Sequence, residues 1–356
     1  MKQSLLKHAA IVPPKVRHLD TASAGLLFGI IATAGYTLAG IILRDLADDT
    51  DPYWVSCIKA VPTLVVAMWL IHQRKKRGQA IKVPLRLIPA LLAIGVIVQI
   101  GGNAGSQWAF EIIGLAITIP MMFGTLIVGS AVIGVLMFQE RLTTRRLVAV
   151  VMLIAAVSIL SLAAGGEATS SENVAANAQG AREASTSATT VPAVLKLTAM
   201  GVLVACLSGI AYAISHAAIR QITSPEIPLS VPLAVFSIAG IVALGAISGW
   251  RIGWDGIVNT TANQWWRLWA AGVVNAVAYF ALGRTIQLLP LVQVNIITAS
   301  QVALNAVAGI VIFSEPISAA LIIGVSLTMM GLLIQGRWKR TPAEASKIPS
   351  NGTQEA

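Results

Sequence analysis

The sequence predicts an all-α polytopic membrane protein in which ten transmembrane helices form two inverted five-helix repeats. Three observations carry this. Long apolar runs follow one another through the chain, one segment recurs far downstream at a constant offset, and lysine and arginine are unevenly shared between the gaps. The chain has 356 residues, is 56% hydrophobic and only 11% charged, with mean hydropathy +0.78. Soluble domains carry about a quarter charged residues. Apolar runs of about 18 residues or more read as membrane-spanning helices. Ten are expected here, near 22–43, 53–72, 87–108, 114–138, 146–164, 194–218, 229–249, 266–288, 290–313 and 317–336. The runs are continuous rather than alternating, which disfavours a β-barrel.

The repeat is read from Gly134-Val135-Leu136-Met137-Phe138-Gln139-Glu140, which returns 175 residues later as Gly309-Ile310-Val311-Ile312-Phe313-Ser314-Glu315. Tyr36 and Tyr212, Arg44 and Arg220, and Pro52 and Pro228 are each 176 apart. Self-similarity of this kind is sought first because missing it miscalls the fold. The expected organisation is an N-terminal tail at 1–20, a first repeat at 21–164, a flexible external linker at 165–193, a second repeat at 194–337 and a C-terminal tail at 338–356. The linker is mostly Ala, Ser, Thr, Asn and Gly, with too few apolar anchors to offset the entropy of ordering it.

Orientation follows from charge. With a cytoplasmic N-terminus, 19 of the 25 Lys and Arg residues fall on the cytoplasmic side and five on the other, with Lys59 inside the second run. Such a bias is the positive-inside rule, and it places both termini in the cytoplasm of a cell that carries this protein in its cytoplasmic membrane. Five helices per repeat turn the second copy upside down. Accordingly the Glu140 gap holds Arg141, Arg145 and Arg146, while the Glu315 gap holds no base. Seven of the nine tryptophans, Trp54, Trp108, Trp250, Trp254, Trp265, Trp266 and Trp269, fall at the predicted outer ends, as an interfacial belt requires. The net charge of +10 is thus assigned to topology and lipid headgroups, with no nucleic-acid partner. Cys57 and Cys206 lie within apolar runs and read as small core residues; two cysteines make no disulfide framework or metal site.

These features together resemble the EamA branch of the drug/metabolite transporter superfamily. Phe138-Gln139-Glu140-Arg141-Leu142-Thr143 and Phe313-Ser314-Glu315-Pro316-Ile317-Ser318 carry the resemblance, each closing an apolar run before the last helix of its repeat. It covers residues 20–340 apart from the linker. The resemblance implies a ten-helix carrier, usually an exporter, with its site between the repeats and lined in part by helices 3, 4, 8 and 9. The family handles amino acids, sugars, nucleotide-linked metabolites and drugs, so it does not choose a substrate. The long linker departs from the family pattern, and Lys59 belongs to no family motif.

Polar side chains inside spanning helices are costly unless they face the bundle interior. Residues three and four apart share a helix face. By that measure the third run presents Gln99, Asn103 and Ser106, and Asn275 and Tyr279 repeat the first two 176 residues on. The ninth run offers Asn295, Thr298, Gln301 and Asn305, and the fourth Thr118 and Thr125. The first offers Thr33, Tyr36, Thr37 and Gly40, answered by Ser208, Tyr212, Ser215 and His216. Each group has two readings, interhelical packing or the lining of a substrate cavity.

Lys59 shares a face with Ser56 and Thr63. A lysine at mid-membrane costs about 2.5–3.5 kcal/mol on insertion scales. It either snorkels to the outer headgroups, pairs with Asp51 or Glu111, or attracts a carboxylate or phosphate on the substrate. His216 reads as a packing residue or a proton-linked switch. Glu140 and Glu315 each precede a new helix, where a carboxylate complements the helix N-terminus; gating or ion pairing is the other role. No Asp or Glu falls at a predicted midplane, so no carboxylate proton relay is visible.

The sequence therefore reads as a secondary carrier of a small polar metabolite, such as an amino acid, working by alternating access with outward transport favoured. No cofactor or metal is expected. The expected partners are the small-molecule substrate and the lipid bilayer, with a homodimer left open. No nucleotide-binding P-loop is present. An intramembrane enzyme would need a nucleophile and base or a metal motif such as H-E-x-x-H, which is missing. A receptor or scaffold on the same fold is the remaining alternative.

Overall fold

The computed structural model describes residues 21–79, 81, 83–138, 144–178, 187–224, 226–289 and 291–336. Among these residues the regular structure is entirely helical. The helices are α1 (Thr21–Ala47), α2 (Pro52–Lys76), α3 (Ile88–Ile97), a π-helical stretch (Val98–Ala104), α4 (Gly105–Phe138), α5 (Thr144–Ala178), α6 (Ser187–Ile222), α7 (Ser230–Arg251), α8 (Gly253–Val258), α9 (Ala262–Leu288), α10 (Leu291–Phe313) and α11 (Ala319–Gly336).

The outside of this bundle is apolar. Leu136, Leu162 and Val311 are each more than 70% exposed, and residues such as Ile30 and Val65 join them. Contiguous apolar surface on this scale belongs against lipid rather than water. Among the described residues, five stretches are long and apolar enough to cross a membrane: Ser23–Ala47, Pro52–Lys76, Leu85–Met137, Val194–Ile219 and Ser230–Arg251. Three shorter apolar helices accompany them, Leu147–Leu162, Ser300–Phe313 and Ala319–Ile334. The chain is a multi-pass helical membrane protein.

The 53-residue stretch Leu85–Met137 is far longer than the about 20 residues a bilayer needs. It is divided at Gly114, whose φ of 72° and ψ of 175° lie in a region open essentially only to glycine. Local chemistry sets other ends. Asp51 caps α2, its carboxylate accepting from the backbone N–H of Tyr53 and Trp54, both at 3.0 Å, and Pro52 occupies the first turn, where its missing N–H costs nothing. Arg74, Lys75 and Lys76 close the other end of α2, where cations suit the helix dipole. Thr261 and Gln264 form a capping box that opens α9.

The helical backbone of α5 continues to Ala178 and that of α6 begins at Ser187, so both enter the 165–193 stretch expected as linker. Alanine and glutamate there favour helix, and extending an existing helix avoids a new nucleation step.

α1 packs against α9 and α10, and α6 packs against α4 and the π-helical stretch. α2 lies on α7, α5 on α11, and α4 on α10. Close approach is bought with small residues, as is usual where lipid supplies no hydrophobic drive between helices: a Cβ on Gly105 would lie 2.7 Å from Ser208 Oγ, and one on Gly324 2.5 Å from Leu160.

One end is held by ion pairs. Arg267 reaches Asp45 at 2.8 Å and also Asp49, Arg251 reaches Asp51 at 3.1 Å, and Arg44 reaches Asp48 and Glu315. The acidic turn after α1 is thus tied to the end of α7, the start of α9 and the turn before α11. Trp54 stacks edge-on against Trp265 at the same end, at 5.8 Å between ring centroids, near the exposed Trp250, Trp254 and Trp266.

Gly114→Ala is expected to cost about 1–3 kcal/mol for its backbone conformation alone. A Cβ there would also fall 2.6 Å from the Glu315 carboxyl. Gly78→Ala is the comparison: Gly78 also has positive φ, 70°, but nothing lies within 4 Å of its Cβ position. The thermal midpoint of the purified protein in detergent should fall much further for Gly114→Ala than for Gly78→Ala.

Candidate functional site

Most of the polar residues nominated from the sequence fall into a central cluster, a helix-crossing contact and a separate capping site. The cluster centres on Lys59, which is 6% exposed. Its Nζ donates to Asn103 Oδ1 at 2.7 Å. Tyr212 OH donates to the same oxygen at 3.0 Å. Asn103 Nδ2 donates to Gln99 Oε1 at 2.8 Å, and Gln99 Nε2 donates to the Phe236 carbonyl at 3.0 Å. The order of amides follows from the lysine. An ammonium only donates, so Asn103 turns its oxygen toward Lys59, its NH2 toward Gln99, and Gln99 passes the same polarity on to α7.

The π-helical stretch brings Gln99 and Asn103 to this point. Such insertions shift the register of side chains on a helix and recur at functional sites. Ser106 donates to the Asn103 carbonyl at 3.0 Å and pairs with Tyr212. Ser208 Oγ, one turn before Tyr212, donates to the Gly101 carbonyl at 2.7 Å and fixes α6 against the stretch. Tyr36 of α1 lies within electrostatic range of both Tyr212 and Tyr279. Three of the four tyrosines of the chain thus converge from α1, α6 and α9. Tyr279 also packs edge-on against Phe280.

Lys59 takes none of the structural partners considered from the sequence. Asp51 pairs with Arg251 and caps α2. Among the described residues no carboxylate contacts Lys59. Ser56 Oγ, one turn away on the same face, is buried without a hydrogen-bond partner.

Asn275 is half-buried on α9, opposite the lipid-facing Trp266, Trp269, Val273 and Val277, and holds no hydrogen bond in the cluster. His216 also holds none. It is exposed, yet it lies on the same face as Tyr212 and across α6 from the exposed Leu203, Leu207 and Ile210. Gln301 and Asn305 are buried on α10, where Asn305 Nδ2 donates to the Gln301 carbonyl at 2.9 Å. Asn305 Oδ1 has no partner and sits against Gly40, 2.6 Å from where a Cβ would stand. Thr33 Oγ1 donates to the Ile297 carbonyl at 3.2 Å, also joining α1 to α10. Thr118 and Thr125 donate to carbonyls of their own helix. Glu140 and the side chain of Asn295 lie outside the described residues.

Glu315 corrects a sequence expectation. It does not serve the helix that follows it, since Ser318 Oγ accepts from the N–H of Leu321 in α11. Its carboxylate instead accepts from the backbone N–H of Leu115 and Ala116, both at 2.7 Å. These open the helix that resumes after Gly114, and a carboxylate is favoured at such a terminus. Arg44 Nε donates to the same group at 3.4 Å and its guanidinium stacks over Phe313, 5.3 Å from the ring centroid. A cavity of about 590 Å³ opens beside this break, with Arg44, Glu111, Thr198 and Glu315 in its lining. Sequence reasoning also missed Gln107, whose Nε2 donates to the Leu43 carbonyl.

Comparison with known proteins adds a partial match to a family. Residues 199–336 match the EamA-like transporter family. The EamA-matching region carries Tyr212, His216, Asn275, Tyr279, Gln301, Asn305 and Glu315, while Tyr36, Lys59, Gln99 and Asn103 lie in the preceding half. A solved structure described only as "Crystal structure of protein" superposes on 88% of this chain and 96% of its own, with a TM-score of 0.51 and 17% identity. That is a likeness of fold. No curated protein matches the chain in sequence.

Hydrogen bonds to a charged group contribute about 1.5–3 kcal/mol. Glu315→Ala is therefore expected to lower unfolding stability by at least that amount, read as a lower thermal midpoint, and Glu315→Asp should not restore it because the shorter arm falls short of Leu115 and Ala116.

Proposed function

We propose that the protein is a secondary carrier that moves a small polar metabolite, such as an amino acid or a related compound, across the cytoplasmic membrane by alternating access, with export as the working direction. One observation carries this reading: a hydrogen-bonded polar cluster, assembled from α2, the π-helical stretch and α6, surrounds a buried lysine within a bundle whose outside is apolar. Such residues inside a membrane mark substrate or ion pathways.

The same reading takes the fold as two inverted five-helix repeats with ten spans. The helix pairings support it. With α4 divided at Gly114, exchanging the halves maps the packing of α1 on α9 onto that of α6 on the π-helical stretch and the start of α4. The α2–α7, α5–α11 and α4–α10 contacts each map onto themselves. Inverted repeats place a solute site at their interface and move by rocking one bundle against the other. The arginine and aspartate pairs then form the external gate, and the Gly114 cavity its vestibule. Exposed His216, facing inward from α6, supports a water-accessible passage on the opposite side.

Two measurements test this. In a background lacking Cys57 and Cys206, cysteines at the exposed Gln79 and Asn259 are expected to react with impermeant reagents from opposite sides of the membrane. Labelling of both from one side would end the inverted-repeat reading. Proteoliposomes containing the protein should pass at least one polar metabolite that empty liposomes retain; equal retention would leave a receptor or scaffold.

A further inference from the structure

Resting on the carrier reading, we infer that the solute bears a carboxylate or phosphate group and that Lys59 Nζ is its counter-charge. The hydrogen-bond inventory at the cluster leads there. Lys59 has three protons to donate, and among the described residues Asn103 Oδ1 takes one of them. That oxygen is already shared with Tyr212 OH. The next acceptor along, Gln99 Oε1, is occupied by Asn103 Nδ2. Both amide oxygens are thus spent inside the cluster, while two ammonium protons, which can only donate, remain unmatched; the hydroxyls of Ser56, Tyr36 and Tyr279, able to donate or accept, hold no hydrogen bond among the described residues.

A site with donors in excess and one uncompensated positive charge is complementary to an anion. Charge-assisted bonds of this kind are the strong ones. A cationic solute would meet like charge, and a neutral one would leave the ammonium unpaired in a low-dielectric surround, where an unpaired charge is costly. A zwitterion such as an amino acid satisfies the same chemistry through its carboxylate, with the hydroxyls of the three tyrosines around it. Packing alone would not retain a lysine here, because an unbranched apolar chain of similar length would fill the space without the desolvation cost.

The test uses the full chain in proteoliposomes loaded with the small-metabolite extract of the cells that make it, with mass spectrometry of what leaves. Carboxylates or phosphate esters are expected in the efflux, and their identities separate the two anion classes. Lys59→Met should cut that efflux at least about tenfold, a difference of 1.4 kcal/mol, and Lys59→Arg should retain more than Lys59→Met. The substrate-free Lys59→Met protein should melt no lower than the wild type, since relief of a buried uncompensated charge offsets the one hydrogen bond lost at Asn103 Oδ1, which keeps Tyr212 as its donor. Efflux of only neutral or cationic solutes would overturn the inference while leaving a carrier. So would unchanged anion efflux in Lys59→Met, or a lowered melting point showing that Lys59 serves the fold. Absence of any solute in the wild-type efflux would remove the carrier reading itself, and this inference with it.

Discussion

A membrane interior has no water to satisfy a stray donor or acceptor, and that constraint accounts for the partners of Glu315 and of the cluster around Lys59. Each unsatisfied backbone group in hydrocarbon costs several kilocalories per mole, so the helices are long and their interruptions are few and individually repaired. At Gly114 the chain leaves helical geometry, and the N–H groups of Leu115 and Ala116 would be stranded. Glu315 receives both at 2.7 Å. A residue two hundred positions downstream thereby completes a helix in the first half of the chain. The same carboxylate holds Arg44, which reaches on to Asp48. The helix break, the turn before α11 and the acidic turn after α1 form one connected polar unit, and a rearrangement of any one must be felt by the other two.

The central cluster obeys the same constraint by another route. Its amides satisfy each other in a directed chain that starts at an ammonium and ends on a backbone carbonyl of α7. Because each amide has one orientation compatible with Lys59 as donor, Asn103 and Gln99 act as one unit. The chain spans α2, the π-helical stretch and α7, with Tyr212 bringing in α6. Movement of α6 relative to α2 therefore stretches a hydrogen bond at Asn103 Oδ1.

Much of this was legible before the structure. The apolar runs predicted the helices, and the spacing of Gln99, Asn103 and Tyr212 put them on inward faces, because a polar side chain in lipid leaves little choice of direction. What was not legible depended on contacts between distant segments. Glu315 was read against the helix that follows it, since local sequence shows only the nearest N-terminus, and Ser318 already served that one. The π-helical stretch is hidden because the run that leads into it, Ile88–Ile97, is apolar on every face, so a shift of register breaks no visible pattern; the Gly101-Gly102 pair beside two amides is its faint signal. The extension of α5 and α6 into the 165–193 stretch was missed because low hydrophobicity was weighed above the helix propensity of its alanines.

Geometry explains why Lys59 is not tamed by the acids near it in sequence. Asp51 lies eight residues away on α2, about 12 Å along the axis at 1.5 Å per residue, which is beyond the reach of a lysine side chain, and its carboxylate is already divided between the cap of α2 and Arg251. Asp45, Asp48 and Asp49 at that end are held by Arg44 and Arg267, and Glu111 is exposed in the lining of the cavity beside Gly114. Negative charge is thus gathered at one end of the bundle, while the buried Lys59 is left with a neutral amide among the described residues. Had the fold needed a satisfied pair, moving a single acid one or two turns along α1 or along α2 would have supplied it. The separation leaves Lys59 without a counter-charge among the described residues, and the anion proposed above rests on that arrangement.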